Sequence, residues 1–182
     1  KEVIVMIPLY ILGLLQRFGP QHGYQIKKII AEQLSDFTQI KLPTIYYHLE
    51  KMRIDGLISA SSEKPGNRPE KTIYSVTDKG IEEFHRMLKG LLNFDYRPTF
   101  PSDGIFYFSE HLETREITDQ LKNYIEKLKA AIAVIQNHRN ETLQFVPNNN
   151  MKKMVKIIFS HHEHHYRAEL NWAIESLDTL SI

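Results

Sequence analysis

Residues 43–56 read PTIYYHLEKMRIDG, and the faces of this segment decide how the rest of the chain is read. Pro43 suits the first position of a helix, where its missing N–H costs nothing, and Gly56 suits the stop. At about 100° per residue, Ile45, Leu49 and Met52 fall together and face a core. Pro43, Tyr47, Glu50 and Lys51 fall on the opposite side, with Thr44 and His48 along one flank and Tyr46 along the other. Thr44, Tyr47, His48 and Lys51 therefore make a polar and aromatic ridge. Such a ridge suits a DNA major groove: hydroxyl and imidazole groups can read base edges, and Lys51 can reach guanine or phosphate. Tyr46 can bond a backbone phosphate from the helix side. A solvated face of an ordinary amphipathic helix gives the same pattern. Two adjacent aromatics on the exposed side favour contact, while Glu50 opposes it unless it accepts from cytosine.

The surrounding elements supply a context for this helix. Upstream, one helix is expected from about Val3 to Arg17, broken by Gly19–Pro20. A second starts near Gly23 and runs to about Leu34 with Tyr24, Ile26, Lys27 and Ile30. Downstream, Leu57–Ala60 and Thr72–Val76 have strand character, separated by a run rich in Pro, Gly, Asn and charge. That is a hairpin with a long basic tip. Thr77 can cap a fourth helix through Leu88 or beyond. Helix, helix, turn, helix and hairpin is the order of a winged helix-turn-helix, in which the hairpin tip flanks the recognition helix. Lys64, Asn67, Arg68 and Lys71 lie on or beside the tip, and Arg68 is the foremost candidate there for a minor-groove or backbone contact. Lys27 and Lys28 are candidate phosphate contacts, adding salt-dependent affinity with little sequence preference.

The stretch NFDYRPTFPSD carries two prolines and no periodicity, and divides a DNA-binding domain (1–93) from a helical one (94–182). In the second half Ser102 or Asp103 can cap a short helix to about Leu112, and Thr114 a long one from Arg115 to about Leu143. Ile117, Leu121, Tyr124, Leu128, Ala131 and Ile135 form its apolar stripe. After the PNNN loop a last helix, about Met151 to Leu180, carries Val155, Ile158, Phe159, Tyr166, Leu170, Ala173 and Leu177 on a broad apolar face. Helices approaching thirty residues cannot bury such stripes on one small domain, so they need each other or a second copy. Leu121, Tyr124, Leu128, Val155, Ile158, Phe159, His162, Tyr166, Leu170, Trp172 and Leu177 are the candidate dimer interface. The fold expected is mainly α with a small β-hairpin: a winged helix-turn-helix domain plus a C-terminal helical dimerisation domain.

Composition agrees with an ordinary soluble chain of 182 residues, 42% hydrophobic and 25% charged. The absence of cysteine excludes disulfides, thiolate nucleophiles and Cys-based zinc sites, and fits a reducing compartment. Residues 1–90 hold 13 Lys and Arg against 10 Asp and Glu, and residues 91–182 hold 10 against 12, so the surplus base sits in the half assigned to DNA. The apolar opening KEVIVMIPLYILGLL is expected to be a buried first helix: Glu2 and the lack of a small-residue cleavage site disfavour a signal peptide. It is also too short, and broken by Pro8, for a bilayer. Beginning at Lys1, the chain is expected to lack a few natural residues. A cytoplasmic location without membrane partners follows as the expectation.

The runs LYILGLL, HGYQIKKII, PTIYYHLEKMRIDGLI and PGNRPEKTIYSVTDKG together resemble the PadR family of transcriptional regulators. That family starts its recognition helix with a Gly-Thr-Leu-Tyr-Pro-like pattern, matched here by Pro43-Thr44-Ile45-Tyr46-Tyr47. Pro43 stands in place of the usual glycine and Tyr47 of the common proline, so base preference does not transfer. The C-terminal half, ending HYRAELNWAIESL, is similar to the longer PadR subgroup. The resemblance implies a homodimer on a palindromic operator in double-stranded DNA, usually a repressor, released when a small molecule or another signal acts on the C-terminal domain. A winged-helix module for protein contacts, without sequence-specific DNA binding, is the alternative.

Catalysis and cofactors are not expected. His161 and His165, one turn apart, can bind a metal together. From His162-Glu163, however, the zinc-protease pattern needs a histidine at 166, where Tyr166 stands, so no catalytic zinc site is expected. His162 falls near the centre of the apolar face, His165 at its edge and His164 towards water. Trp172 is expected to be buried at a core or interface, with a flat-ligand pocket as its other role.

Overall fold

A computed structural model describes residues 2–33, 42–63, 71–94 and 98–181. The chain divides into two compact units, Lys1–Tyr96 and Arg97–Ile182. Among the described residues no helix is long and apolar enough to cross a membrane.

In the first unit α1 (Glu2–Phe18) packs on the third and fourth helices and the sheet. Gly19, at φ 73°, ends it in the left-handed conformation that glycine adopts without a Cβ clash. β1 (Gln21–His22) leads into α2 (Gly23–Gln33), and α3 spans Leu42–Ile54. β2 (Ile58–Glu63) and β3 (Lys71–Val76) form the expected hairpin, and α4 (Asp78–Gly90) follows. The sheet order is β1-β3-β2, all antiparallel, with Ile58 opposite Val76 and Gln21 opposite Tyr74. β1 was not expected, because two residues carry no readable alternation.

Ile11, Leu12 and Leu15 of α1, Ile26 of α2, Ile45, Leu49 and Met52 of α3 and Ile58 of β2 make one core, joined by Phe84 and Met87 of α4. The stop of α3 is a Schellman motif: Leu57 N–H donates to the Met52 carbonyl (2.9 Å) and Gly56 N–H to that of Arg53 (3.1 Å), with Gly56 at φ 72°. Thr77 then ties the hairpin to α4. Its hydroxyl accepts from Gly80 N–H at 3.1 Å, as expected of a cap, and donates to the Gly56 carbonyl at 2.8 Å.

The second unit is a helical hairpin with a short preface. The single helix expected from Ser102 or Asp103 to Leu112 is instead α5 (Asp103–Tyr107) and a 3₁₀ turn at Ser109–His111, and Ser102 makes no side-chain cap bond. α6 (Thr114–Phe145) and α7 (Asn149–Leu180) each have 32 residues, about 48 Å of helix. Glu113, not Thr114, caps α6, in a reciprocal capping box with Glu116. Asn148 caps α7 by accepting from Met151 N–H at 2.9 Å. The two helices are antiparallel: Tyr124 meets Glu169, while His138, further along α6, meets Phe159, further back on α7.

The α6 residues buried are Ile117, Leu121, Ile125, Leu128, Ile132 and Ile135. Four of these were on the expected stripe; Ile125 and Ile132 replace Tyr124 and Ala131. From Leu121 onward the steps alternate four and three, the spacing of a coiled-coil seam. On α7, Phe159 and Ala173 are buried, with Tyr166, Leu170, Trp172 and Leu177 packed alongside.

Candidate nucleic-acid interface

The inner face of α3 is anchored by Ile45, Leu49 and Met52, each 2% exposed or less, which holds the outer face at a fixed angle. On that outer face Pro43, Tyr47 (63% exposed), Glu50 and Lys51 are open to solvent and Thr44 is half-buried. Thr44, Tyr47 and Lys51 thus form a ridge along one side of the helix. His48 does not share it. It is 4% exposed and turned inward, because one helical step from Ile45 and another from Met52 leave it within the buried arc. Burial, then the neighbouring Lys51 charge, lowers its pKa. The reading of His48 as a base contact is therefore corrected to a core position.

Tyr46, 45% exposed, lies over the start of α2: a Cβ at Gly23 would come within 2.8 Å of its ring. Glycine at 23 thus lets the tyrosine ring seat against the helix terminus. Tyr46 also borders a hollow with His22, Tyr24, Lys71 and Tyr74. His22 Nδ1 lies 3.2 Å from the Thr72 carbonyl, tying β1 to the start of β3.

Glu50, the awkward acid of the ridge, is held by Arg53: Nε to Oε2 at 3.0 Å and Nη2 to Oε1 at 2.7 Å. This bidentate bond is the main cause of the lowered Glu50 pKa. The pair leaves the outer surface of α3 without an uncompensated negative charge. Arg53 was missed in the sequence, although its place three residues after Glu50 is a readable pairing distance.

Lys27 is half-buried with its Nζ 5.8 Å from the Tyr24 ring centroid, and Lys28 is exposed, 3.8 Å from Glu32. Lys71 is exposed at the start of β3. Lys64, Asn67 and Arg68 lie outside the described residues.

In the second unit, Leu121, Leu128 and Phe159, expected at a dimer interface, are 6%, 4% and 3% exposed within one chain. They fill the hairpin core, so a second copy has almost nothing further to bury there. The reason is that α6 and α7 satisfy each other. Tyr166, Leu170 and Leu177 pack against the same core; Val155 and His162 are half-buried and Ile158 is exposed. Apolar side chains left open are Val134 and Phe145 on α6 and Met154, Ile157 and Ile158 on α7. Glu163 faces α6, where Gln136 (2.8 Å) and Arg139 (3.1 Å) donate to it along with Arg167 from its own helix (2.7 Å).

A cleft of about 530 Å³ opens between α5, α6 and α7, lined by Phe106, Ile117, Leu121, Tyr124, Lys127 and Trp172 among others. The Phe106 and Trp172 rings meet edge to face at 5.7 Å. Tyr124, expected at an interface, instead borders this cleft and donates to Glu169 at 3.0 Å.

Known proteins resemble this one across both units. The sequence pattern of the "Transcriptional regulator PadR-like family" matches residues 11–86. The negative transcriptional regulator PadR of Bacillus subtilis (strain 168) is 31% identical over 129 residues, 69% of this chain and 69% of that protein. Its crystal structure with operator DNA shares this fold, at TM-score 0.74 and 24% identity, over 96% of this chain and 99% of that one. Its crystal structure with p-coumaric acid does so at TM-score 0.72 and 24% identity, over 97% and 99%. The chain belongs to the PadR-like family, which is one of transcriptional regulators rather than enzymes.

Proposed function

We propose that this protein is a homodimeric repressor that binds a palindromic operator and leaves it when a small molecule occupies the second unit. The observation that carries the reading is the α3 ridge: Thr44, Tyr47 and Lys51 lie on the outer side of a helix whose inner side is locked into the core. Tyr47 and Thr44 offer groups for base edges, Lys51 a charge for guanine or phosphate, and Tyr46 a hydroxyl for the backbone. Lys27, Lys28 and Lys71 add positive charge on neighbouring elements, and Lys64, Asn67 and Arg68 are the proposed wing contacts. Two copies related by a two-fold axis would read two half-sites.

Repression is supported by the Bacillus relative, a negative transcriptional regulator. Effector release is supported by the cleft beside Trp172, whose size suits a small ligand, and by the solved relative that holds p-coumaric acid. Lys127 at the cleft is placed to meet an acidic group on a flat, largely apolar molecule.

Selection from a pool of random duplexes tests the reading. A two-fold symmetric sequence with half-site centres about 34–36 Å apart, or a multiple, is expected, with affinity falling steeply as salt rises. Tyr47→Ala is expected to cost about 1–3 kcal/mol on the selected site and little on random DNA; Lys51→Ala should also lower affinity. Equal binding to every duplex would leave only the protein-contact alternative standing.

A further inference from the structure

His161 and His165 stand one turn apart on the exposed side of α7, their ring centroids 4.8 Å and their Nε2 atoms 3.1 Å apart. Between neutral imidazoles this contact shares one proton between the two nitrogens and holds them close together. Metal–imidazole bonds of about 2.05 Å, spanning that gap, would meet at an angle of about 98°. That value lies between the ~90° of square-planar or octahedral centres and the ~109° of a tetrahedral one. The two Nε2 atoms already stand at a separation that one ion can bridge.

We propose that His161 and His165 bind a divalent first-row transition-metal cation, such as zinc or nickel, through their Nε2 atoms and so clamp one turn of α7. Both rings contribute lone pairs: the Nε2 proton of the donor ring is given up and its Nδ1 is protonated instead, so two neutral imidazoles bind the ion with no net proton released. Glu163 is taken up by Gln136, Arg139 and Arg167 on the side towards α6. The His164 Nδ1 lies 2.6 Å from the Ser160 carbonyl oxygen and does not join the pair. No group of three or more metal-ligating side chains occurs among the described residues, so the site is a two-ligand one of modest affinity. Lys156 borders the same hollow as His161 and opposes the cation, with its charge screened by solvent.

The test titrates the full-length, tag-free protein with zinc chloride by calorimetry at about pH 7.5. Nickel chloride serves as a second probe. One ion per chain is expected, with affinity at least about tenfold weaker in His161→Ala and in His165→Ala and within about twofold in His164→Ala. Zinc should also raise the thermal midpoint of the parent and of His164→Ala but not of the other two variants, whose fold is checked by circular dichroism. Absence of binding at about millimolar zinc would overturn the proposal. So would binding undiminished by either alanine, or an equal loss in His164→Ala.

Discussion

His48 places a titratable ring on the inner side of the helix whose outer side is offered to DNA. Its pKa in the folded chain lies below the ordinary imidazole value. Above about pH 6.5 the ring is neutral folded or unfolded, and its packing contributes fully to stability. As the pH falls below that value the unfolded chain takes up a proton that the folded one resists. Stability is therefore lost with falling pH, and levels off once the folded ring is protonated too. Urea unfolding followed from pH 7.5 to 5 should show a steeper decline for the parent than for His48→Gln; parallel curves would remove His48 as the cause. The ridge itself was legible from Pro43 to Lys51 because helical periodicity sorts residues into faces. His48 was not, since at the border of the buried arc a few tens of degrees decide between water and core. Glu50 was legible as a problem, and its answer, Arg53, appears only once both side chains are placed.

At the scale of elements, the hairpin hangs on one crowded junction. Gly80 is buried under the end of α3, and a Cβ there would lie 2.0 Å from the Leu57 carbonyl oxygen. A backbone oxygen cannot swing aside as a side-chain tip can. Gly80→Ala is therefore expected to destabilise the first unit by about 3 kcal/mol, the upper end of overpacking costs. Thermal unfolding measures it, and a midpoint unchanged from the parent would show that the junction has slack. Thr77 as a cap was legible from its residue type. Glu113 was not, because glutamate is an uncommon cap and acts here only through its partnership with Glu116. The α6 stripe was legible in part. Tyr124 and Ile125 lie about 100° apart, one on each side of the stripe, and the partner helix decides which of them is buried.

For the whole molecule, two units each with a core of its own leave the apolar side chains of Met154, Ile157, Ile158 and Val134 open on the hairpin. Under the proposed dimer these are the side chains that a second copy would cover. Sedimentation equilibrium is expected to give twice the 21.4 kDa chain mass at micromolar concentration; a monomer there would remove the two-half-site reading. By itself the sequence determined the order of the main helices and the hairpin, the winged-helix class and the outward ridge, because hydrophobic period, caps and glycine stops act over neighbours a few residues apart. Only the tertiary structure decided that His48 is inside, that Gly80 admits no side chain, that α6 and α7 bury each other and that the two histidine Nε2 atoms lie 3.1 Å apart. Those outcomes depend on which distant residue arrives opposite, and no local period carries that information.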